Sequence, residues 1–250
     1  MSVLRAQLER LRARRTRRPD VTVVIPVYNA GPYLDELLDS LQAQTLDNER
    51  FEVIAVDDGS TDGSSTVLDA RATTMSNLRV VHQENSGWPG IPRNRGLDMS
   101  RARYVFFADA DDVIAPEAMR RLVAFADRHG SDVVLPKMVG LDGRWVGERI
   151  YRKTQVDADL ELAFKTLTPQ KLFRVSLLHS HGIRFPEEKV RLEDGIVMAQ
   201  AYLRASRVSI LADQDYYHLR RRDDGGNISR TRLDPAGYSW SVATVSRYIR

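Results

Sequence analysis

Apolar positions along this chain come in short β-branched runs that alternate with stretches of helical period. The run at 21–25 is closed by Pro26, and after a turn at Asn29, Ala30, Gly31 and Pro32 the residues Leu34, Leu37, Leu38 and Leu41 recur at helical spacing. This is strand, loop and helix. The unit repeats: residues 51–56 read as a second strand broken by Asp57-Asp58-Gly59-Ser60, and residues 61–64 can cap a helix reaching about Met75. Residues 78–81 are a third strand, a loop holding Gly87, Pro89, Gly90 and Pro92 leads to a short helix over 93–100, and 104–108 is a fourth strand. Such alternation predicts an α/β fold, with a mostly parallel central sheet and helices on both faces. Ligands of these sheets bind outside the carboxyl ends of the strands, which gathers Tyr28, Asp57, Asp58, Asp109 and Asp111 at one edge.

Further along, the pattern is more mixed. A helix is expected over 116–129, with Pro116 in its first turn and Gly130 past its end, then a strand over 132–136. Residues 139–151 read as a hairpin around Asp142-Gly143, and 160–185 as mixed and mainly helical. A helix over 194–204, strands over 208–211 and 216–219, a polar loop over 220–229 and an amphipathic helix after Pro235 complete the pattern. That last helix, over 231–250, is read as the start of a further module.

The string Tyr104-Val-Phe-Phe-Ala-Asp-Ala-Asp-Asp112 carries the most chemistry. It is an apolar run that ends in three carboxylates within four positions. Alternate residues of an extended segment face one side, so Asp109 and Asp111 converge while Ala110 leaves room between them. Asp112 is read either as an acceptor supporting the metal ligands or, in preference, as a cap for the helix that follows. Carboxylates at the end of a buried strand are costly without a cation, and a divalent metal carrying phosphates would be such a partner.

Composition narrows the chemistry further. A chain of 250 residues can bury a core unaided, and with no cysteine it has no disulfides, cysteine-ligated zinc or thiol nucleophile. No apolar run approaches the roughly 20 residues of a membrane span, and the N-terminus has no secretory signal core. The expectation is a cytoplasmic protein, soluble or peripheral at the inner face of the cell membrane. A net charge of +3 with no extended basic stripe argues against a nucleic-acid partner. Residues 1–18 stand apart, since Arg5, Arg10, Arg12, Arg14, Arg15, Arg17 and Arg18 surround Leu4, Leu8 and Leu11. Residues 3–15 therefore read either as a basic amphipathic helix on anionic lipid or, with greater weight, as a solvated extension.

The order of segments over 21–229 resembles the inverting glycosyltransferases of family 2, which have the GT-A fold, a Rossmann-like sheet with a mixed acceptor-side portion. Val24-Ile-Pro-Val-Tyr-Asn29 is similar to the family's opening strand, so the resemblance places Pro26 and Tyr28 beside the nucleotide base. Asp57-Asp58-Gly59-Ser60 implies Asp58 as the acceptor for the base imide. The loop from Asn85 to Gly96 resembles the family's glycine loop followed by Arg-Asn-X-Gly, with Arg93 near phosphate or base and Asn94 offering its amide; Ile91-Pro92 departs from the small residues usual there. Asp109-Ala110-Asp111 matches Asp-X-Asp, which implies Asp109 near the ribose or the metal's water shell and Asp111 on Mn²⁺ or Mg²⁺. Glu193-Asp194, about eighty residues further on, is similar to the family's Glu-Asp pair, with Asp194 the catalytic base. A carboxylate of low pKa suffices there, because the attacking hydroxyl turns acidic only as it meets an oxocarbenium-like centre. An N-cap role explains Asp194 equally well from local sequence. In the late motif, strand parity favours Arg220, Arg222 and His218 over Arg221 for the diphosphate.

The resemblance implies a metal-dependent transfer of a sugar from a nucleoside diphosphate, with UDP favoured, to a glycan or polyol-phosphate polymer of the bacterial cell wall. It divides the chain into an extension (1–18), a catalytic domain (19–230, nucleotide half 19–137, acceptor half 138–230) and the C-terminal helix (231–250). Two alternatives stay open: a sugar nucleotidyltransferase, and a non-catalytic carbohydrate-binding module on the same fold.

Overall fold

The computed structural model describes residues 18–190, 192–224 and 242–243. The N-terminal arginine-rich segment, the second half of the 220–229 loop and all but two residues of the helix after Pro235 lie outside them. The first four strands are β1 (Val21–Val27), β2 (Phe51–Asp57), β3 (Leu78–His82) and β4 (Tyr104–Phe107). After them come β5 (Val113–Ile114), β6 (Val133–Pro136), β7 (Met138–Leu141), β8 (Leu172–Arg174), β9 (Val208–Leu211) and β10 (Tyr217–Arg220). The helices are α1 (Tyr33–Gln42), α2 (Ser64–Ala72), α3 (Gly90–Met99) and α4 (Ala118–His129), then the short α5 (Leu160–Ala163) and α6 (Val175–Ser180), and α7 (Glu193–Arg204).

Strands that are apolar on both faces must be covered on both, and β1 to β4 pair in parallel in the order β3-β2-β1-β4 with helices packed on them. Register is set by the runs themselves: Val23 lies beside Val53 on one side and Phe106 on the other. Pro26 is tolerated in this central strand because β4 ends opposite Val24, so no partner on that side needs its missing N–H. Helix α1 has no side-chain cap, but Leu34, Leu37, Leu38 and Leu41 are fully buried. Four leucines at about 2 kcal/mol each outweigh a missing cap worth about 1 kcal/mol. Helix α3 lies tight on β1, since a Cβ on Gly96 would meet Val24 Cγ1 at 2.3 Å. Larger side chains there would force the helix off the sheet.

Four expectations need correction. The mainly helical reading of 160–185 misses β8, which enters the sheet antiparallel between β4 and β6. Three residues are too short for a period, and their partners are remote in sequence. The hairpin at 142–143 is a turn only: Asp142 and Gly143 both adopt positive φ, but β7 pairs in parallel with β10 and no returning strand follows. Close approach of the Arg144 carbonyl to Gly140, where a Cβ would sit 1.6 Å away, sends the chain off the sheet. Asp112 is no helix cap, because its carboxylate is buried against β10 and the N-cap of α4, Glu117, makes no side-chain cap bond. Finally, β4 ends at Phe107 and β6 begins at Val133, each a residue short of the expected strand. The main sheet has seven strands, in the order β3-β2-β1-β4-β8-β6-β9, and β5, β10 and β7 form a second sheet beside it.

Candidate active site

Parallel strands point their carboxyl ends the same way, so β1, β2 and β4 deliver their terminal loops to one edge. Antiparallel β8 brings its start to that edge as well. Leu172 lies opposite Phe106, which sets Gln170 beside Asp109.

Tyr28, at the end of β1, is 53% exposed, an aromatic face open to solvent. The loop after it is tied to the loop after β2: Asn29 Oδ1 accepts from Thr61 N at 2.8 Å, and Gly31 N donates to Asp62 Oδ2 at 2.8 Å. Asp58 is buried, and its carboxylate accepts from Gln83 Nε2 at 2.6 Å, Ser86 Oγ at 2.8 Å and Ser86 N at 3.1 Å. Gly59 is required there: its φ is +74°, and a Cβ would meet Asn85 N at 2.8 Å.

Arg93 is the centre of the arrangement. Its guanidinium, almost fully buried, donates through Nη2 to Asp109 Oδ1 at 2.9 Å and through Nη1 to Asp194 Oδ1 at 2.8 Å. The ring of Phe185 lies 5.1 Å from its Cζ. Burial alone would loosen the Arg93 proton, but the carboxylates of Asp194, Asp109 and Glu193 hold it more firmly than usual. Asn94 faces elsewhere. Both ends of its amide are spent on the main chain of Phe185, at 2.9 and 3.0 Å, as a strand partner would be. It shapes the wall behind Arg93.

Asp109 also accepts from Gln170 Nε2 at 2.6 Å, and its own N–H donates to Tyr217 Oη at 3.0 Å. The Tyr217 hydroxyl donates in turn to Asp112 Oδ2 at 2.8 Å, and Arg220 N to Asp112 Oδ1 at 2.7 Å. Burial, then the charge of Asp109, pushes Asp111 up to about 6 against the pull of Arg222 and Arg220. Burial and both neighbouring aspartates push Asp112 well above its ordinary range. No group of three or more acidic, His or Cys side chains is arranged as a metal cage among the described residues. Two carboxylates fit Mn²⁺ or Mg²⁺ all the same, since such ions take one or two carboxylates and complete their shell with phosphate oxygens and water.

The late cations divide. Arg220 is nearly buried, donating to Asp111 O at 2.9 Å, to Asp142 Oδ2 at 2.5 Å and to Glu36, with its Cζ 5.2 Å from the Tyr33 ring. Arg222 lies on the same ring and donates to Asp224 Oδ2 at 2.6 Å and Asn29 O at 3.2 Å. His218 is half-buried on β10 in register with Val113 and Val139.

Helix α7 opens on Leu192, a non-glycine residue at φ 70°. This turn swings Asp194 onto Arg93 and leaves no side-chain cap at the helix start, so the capping account of Asp194 does not hold. Nor is it a low-pKa carboxylate. Burial and Asp109 raise it, while Arg93 and Lys171 pull it down. Glu193 is pushed up to about 8 by burial and by Asp194, so the two carboxyl groups titrate as a coupled pair. Sequence reasoning missed Gln170 and Lys171, whose only signal is a polar pair ahead of an apolar run too short to read as a strand.

This sheet, with its carboxyl-edge acids and the arginine that links them, defines a GT-A-like α/β protein. The chain belongs to glycosyl transferase family 2, whose model matches residues 22–192. It is 40% identical over 234 residues to a poly(ribitol-phosphate) beta-glucosyltransferase of Bacillus spizizenii, covering 92% of this chain and 37% of that protein. It is 38% identical over 220 residues to the poly(ribitol-phosphate) beta-N-acetylglucosaminyltransferase TarS of Staphylococcus aureus, covering 87% and 38%. A crystal structure of S. aureus TarS residues 1–349 in complex with UDP-GlcNAc matches at TM-score 0.85 and 35% identity, covering 92% of this chain and 66% of that one. The chain thus spans well under half the length of these two sequence relatives.

Proposed function

We propose that this chain catalyses inverting transfer of N-acetylglucosamine or glucose from UDP to a hydroxyl of a polyol-phosphate polymer. The donor and acceptor classes are those printed for its relatives. One observation carries the chemistry: Arg93 ties Asp109, at the end of the Asp-X-Asp strand, to Asp194 at the start of α7. A donor-side and an acceptor-side carboxylate are thereby held one guanidinium apart.

In this reading Asp194 accepts the acceptor hydroxyl's proton as its oxygen attacks the anomeric carbon and the bond to the diphosphate breaks on the opposite face. Its raised pKa favours that role. Asp109 and Asp111 would hold Mn²⁺ or Mg²⁺, which neutralises charge on the leaving diphosphate. Arg222 is the cation for the same oxygens, exchanging Asp224 for phosphate, and Arg220 and His218 stand beside it on β10. Tyr28 and Pro26 flank the base. The uracil N–H replaces the Gln83 amide on Asp58, one N–H donor for another.

The test is Asp194→Asn assayed by UDP release from UDP-GlcNAc and UDP-glucose with poly(ribitol phosphate) as acceptor. Turnover falls by about 10³-fold while UDP affinity stays within a factor of a few. Full activity in that variant refutes the base. Release of pyrophosphate from a nucleoside triphosphate and a sugar phosphate would favour a nucleotidyltransferase instead.

A further inference from the structure

Tyr33, the first residue of α1, meets the end of β10 and the residues beyond it at three points. Its ring lies 5.2 Å from Arg220 Cζ and 5.1 Å from Arg222 Cζ, and its hydroxyl accepts from Asp223 N at 3.2 Å. Glu36, three positions on and so on the same helical face, takes a further bond from Arg220. Four buried leucines fix α1 against the sheet, so this tyrosine stands on a rigid element. The segment it touches has less support, because β10 ends at Arg220 and residues 221–224 belong to no strand.

The two arginines use the ring differently. Arg220 spends N–H groups on Asp111 O, Asp142 Oδ2 and Glu36, groups of the fold itself. Arg222 spends its own on Asp224, at 3.0 Å from Nε and 2.6 Å from Nη2, and on Asn29 O at 3.2 Å. Asp224 presents paired oxygens as a phosphoryl group does, so one anion can take the place of the other. A ring face attracts a guanidinium through its quadrupole and leaves the in-plane N–H groups free. The Tyr33 contact therefore survives that exchange.

We propose that Tyr33 is a positioning residue for Arg222: its ring holds the guanidinium in place while the anionic partner changes, and its hydroxyl pins the main chain at Asp223, between Arg222 and Asp224. This rests on the reading of Arg222 as the cation for the diphosphate. Without the ring, a long side chain on a segment outside the sheet must be ordered each time a diphosphate binds, and that entropy is lost from affinity. In this role Tyr33 touches neither base nor sugar, so its effect is confined to ligands that carry phosphate.

The experiment measures UDP and uridine affinity by calorimetry in wild type, Tyr33→Leu, Tyr33→Phe, Arg222→Gln and the combination of Tyr33→Leu with Arg222→Gln. Nitrogen NMR follows the arginine Nε–H signals in the same proteins, with that of Arg222 assigned by its absence in Arg222→Gln. UDP affinity falls roughly tenfold in Tyr33→Leu and about threefold in Tyr33→Phe, which keeps the ring, while uridine affinity stays within about twofold. The combined variant binds UDP no more weakly than Arg222→Gln alone, because the ring acts through that side chain. The Arg222 signal moves in Tyr33→Leu as it leaves the shielding of the ring. Equal weakening of uridine and UDP, or additive losses in the combined variant, overturns the proposal. So does an unmoved Arg222 signal, whatever the UDP affinity does. A moved signal with full UDP affinity in Arg222→Gln upholds the Tyr33–Arg222 contact and overturns Arg222 as the diphosphate cation, so the two readings fail separately. Should Tyr33→Leu bind neither nucleotide, Tyr33→Phe carries the test, and undiminished UDP affinity there counts against the proposal.

Discussion

The ends of β2 and β4 both bring aspartates to the carboxyl edge of the sheet, on either side of β1. At β2 the donors come from the turn, the start of α2 and the end of β3: Asp57 accepts from Ser60 N at 3.1 Å, Ser65 Oγ at 2.6 Å and His82 Nδ1 at 2.9 Å. Burial works against that carboxylate, yet these bonds hold it below the ordinary range. At β4 the intervening residue is alanine, and the donors come from α3, β10 and the approach to β8. Burial and mutual repulsion win there, with Asp111 pushed up to about 6. Carboxylates with three hydrogen-bond donors settle into the ionised form, whereas neighbouring carboxylates crowded in a buried cluster are held partly protonated.

The comparison breaks most sharply at Arg93, the cation that β4 borrows. Arg93→Met removes a buried partner from two carboxylates and should lower unfolding stability by about 3 kcal/mol in urea titration. A loss below about 1 kcal/mol would mean that the aspartates are neutral in the fold.

A paired substitution sharpens it next. Asp111→Asn should lower turnover by about 10²-fold and abolish stimulation by Mn²⁺ or Mg²⁺ while leaving stability unchanged or higher. Asp57→Asn should do the reverse, costing about 1–2 kcal/mol of stability and keeping the metal response. Equal effects of the two on metal response would erase the distinction between the strand ends.

The smallest effect is on pH dependence, and its sign differs at the two ends. Asp111 and Glu193 bind protons more tightly folded than unfolded, up to about 6 and about 8, so their contribution to stability grows as pH falls from 7 toward 5. Asp57 binds its proton less tightly folded, so its contribution is full above about 3.9 and is lost below that. Melting temperature should rise modestly from pH 7 to 5 and drop below 4. Asp111→Asn should flatten the rise and Asp57→Asn the drop, read by calorimetry in buffers of equal ionic strength.

Much of the frame is legible without coordinates. Val21 to Val27 and Phe51 to Asp57 are long, apolar runs, and α1 has a clean leucine stripe; their partners are similar runs, so pairing adds little beyond what the period already states. The acids at the strand ends are legible for the same reason. What fails is short or remote: β8 has three residues, Asp142-Gly143 makes a turn with no partner strand behind it, and Asp112 finds its donors on β10, more than a hundred residues away.

The order of β1 to β4 and the helices between them, and the arrival of Asp58, Asp109 and Asp111 at strand ends, were determined by sequence alone, because side-chain period and chain-breaking residues act locally. Which charges meet was decided only by the tertiary structure. Arg93 reaches Asp194 across 101 positions of chain, Asn94 turns away to Phe185, and an antiparallel strand inserted beside β4 sets Gln170 on Asp109 and buries Lys171. These pairings follow from topology and exclusion of water, which convert residues remote in sequence into neighbours and make each unpaired charge costly.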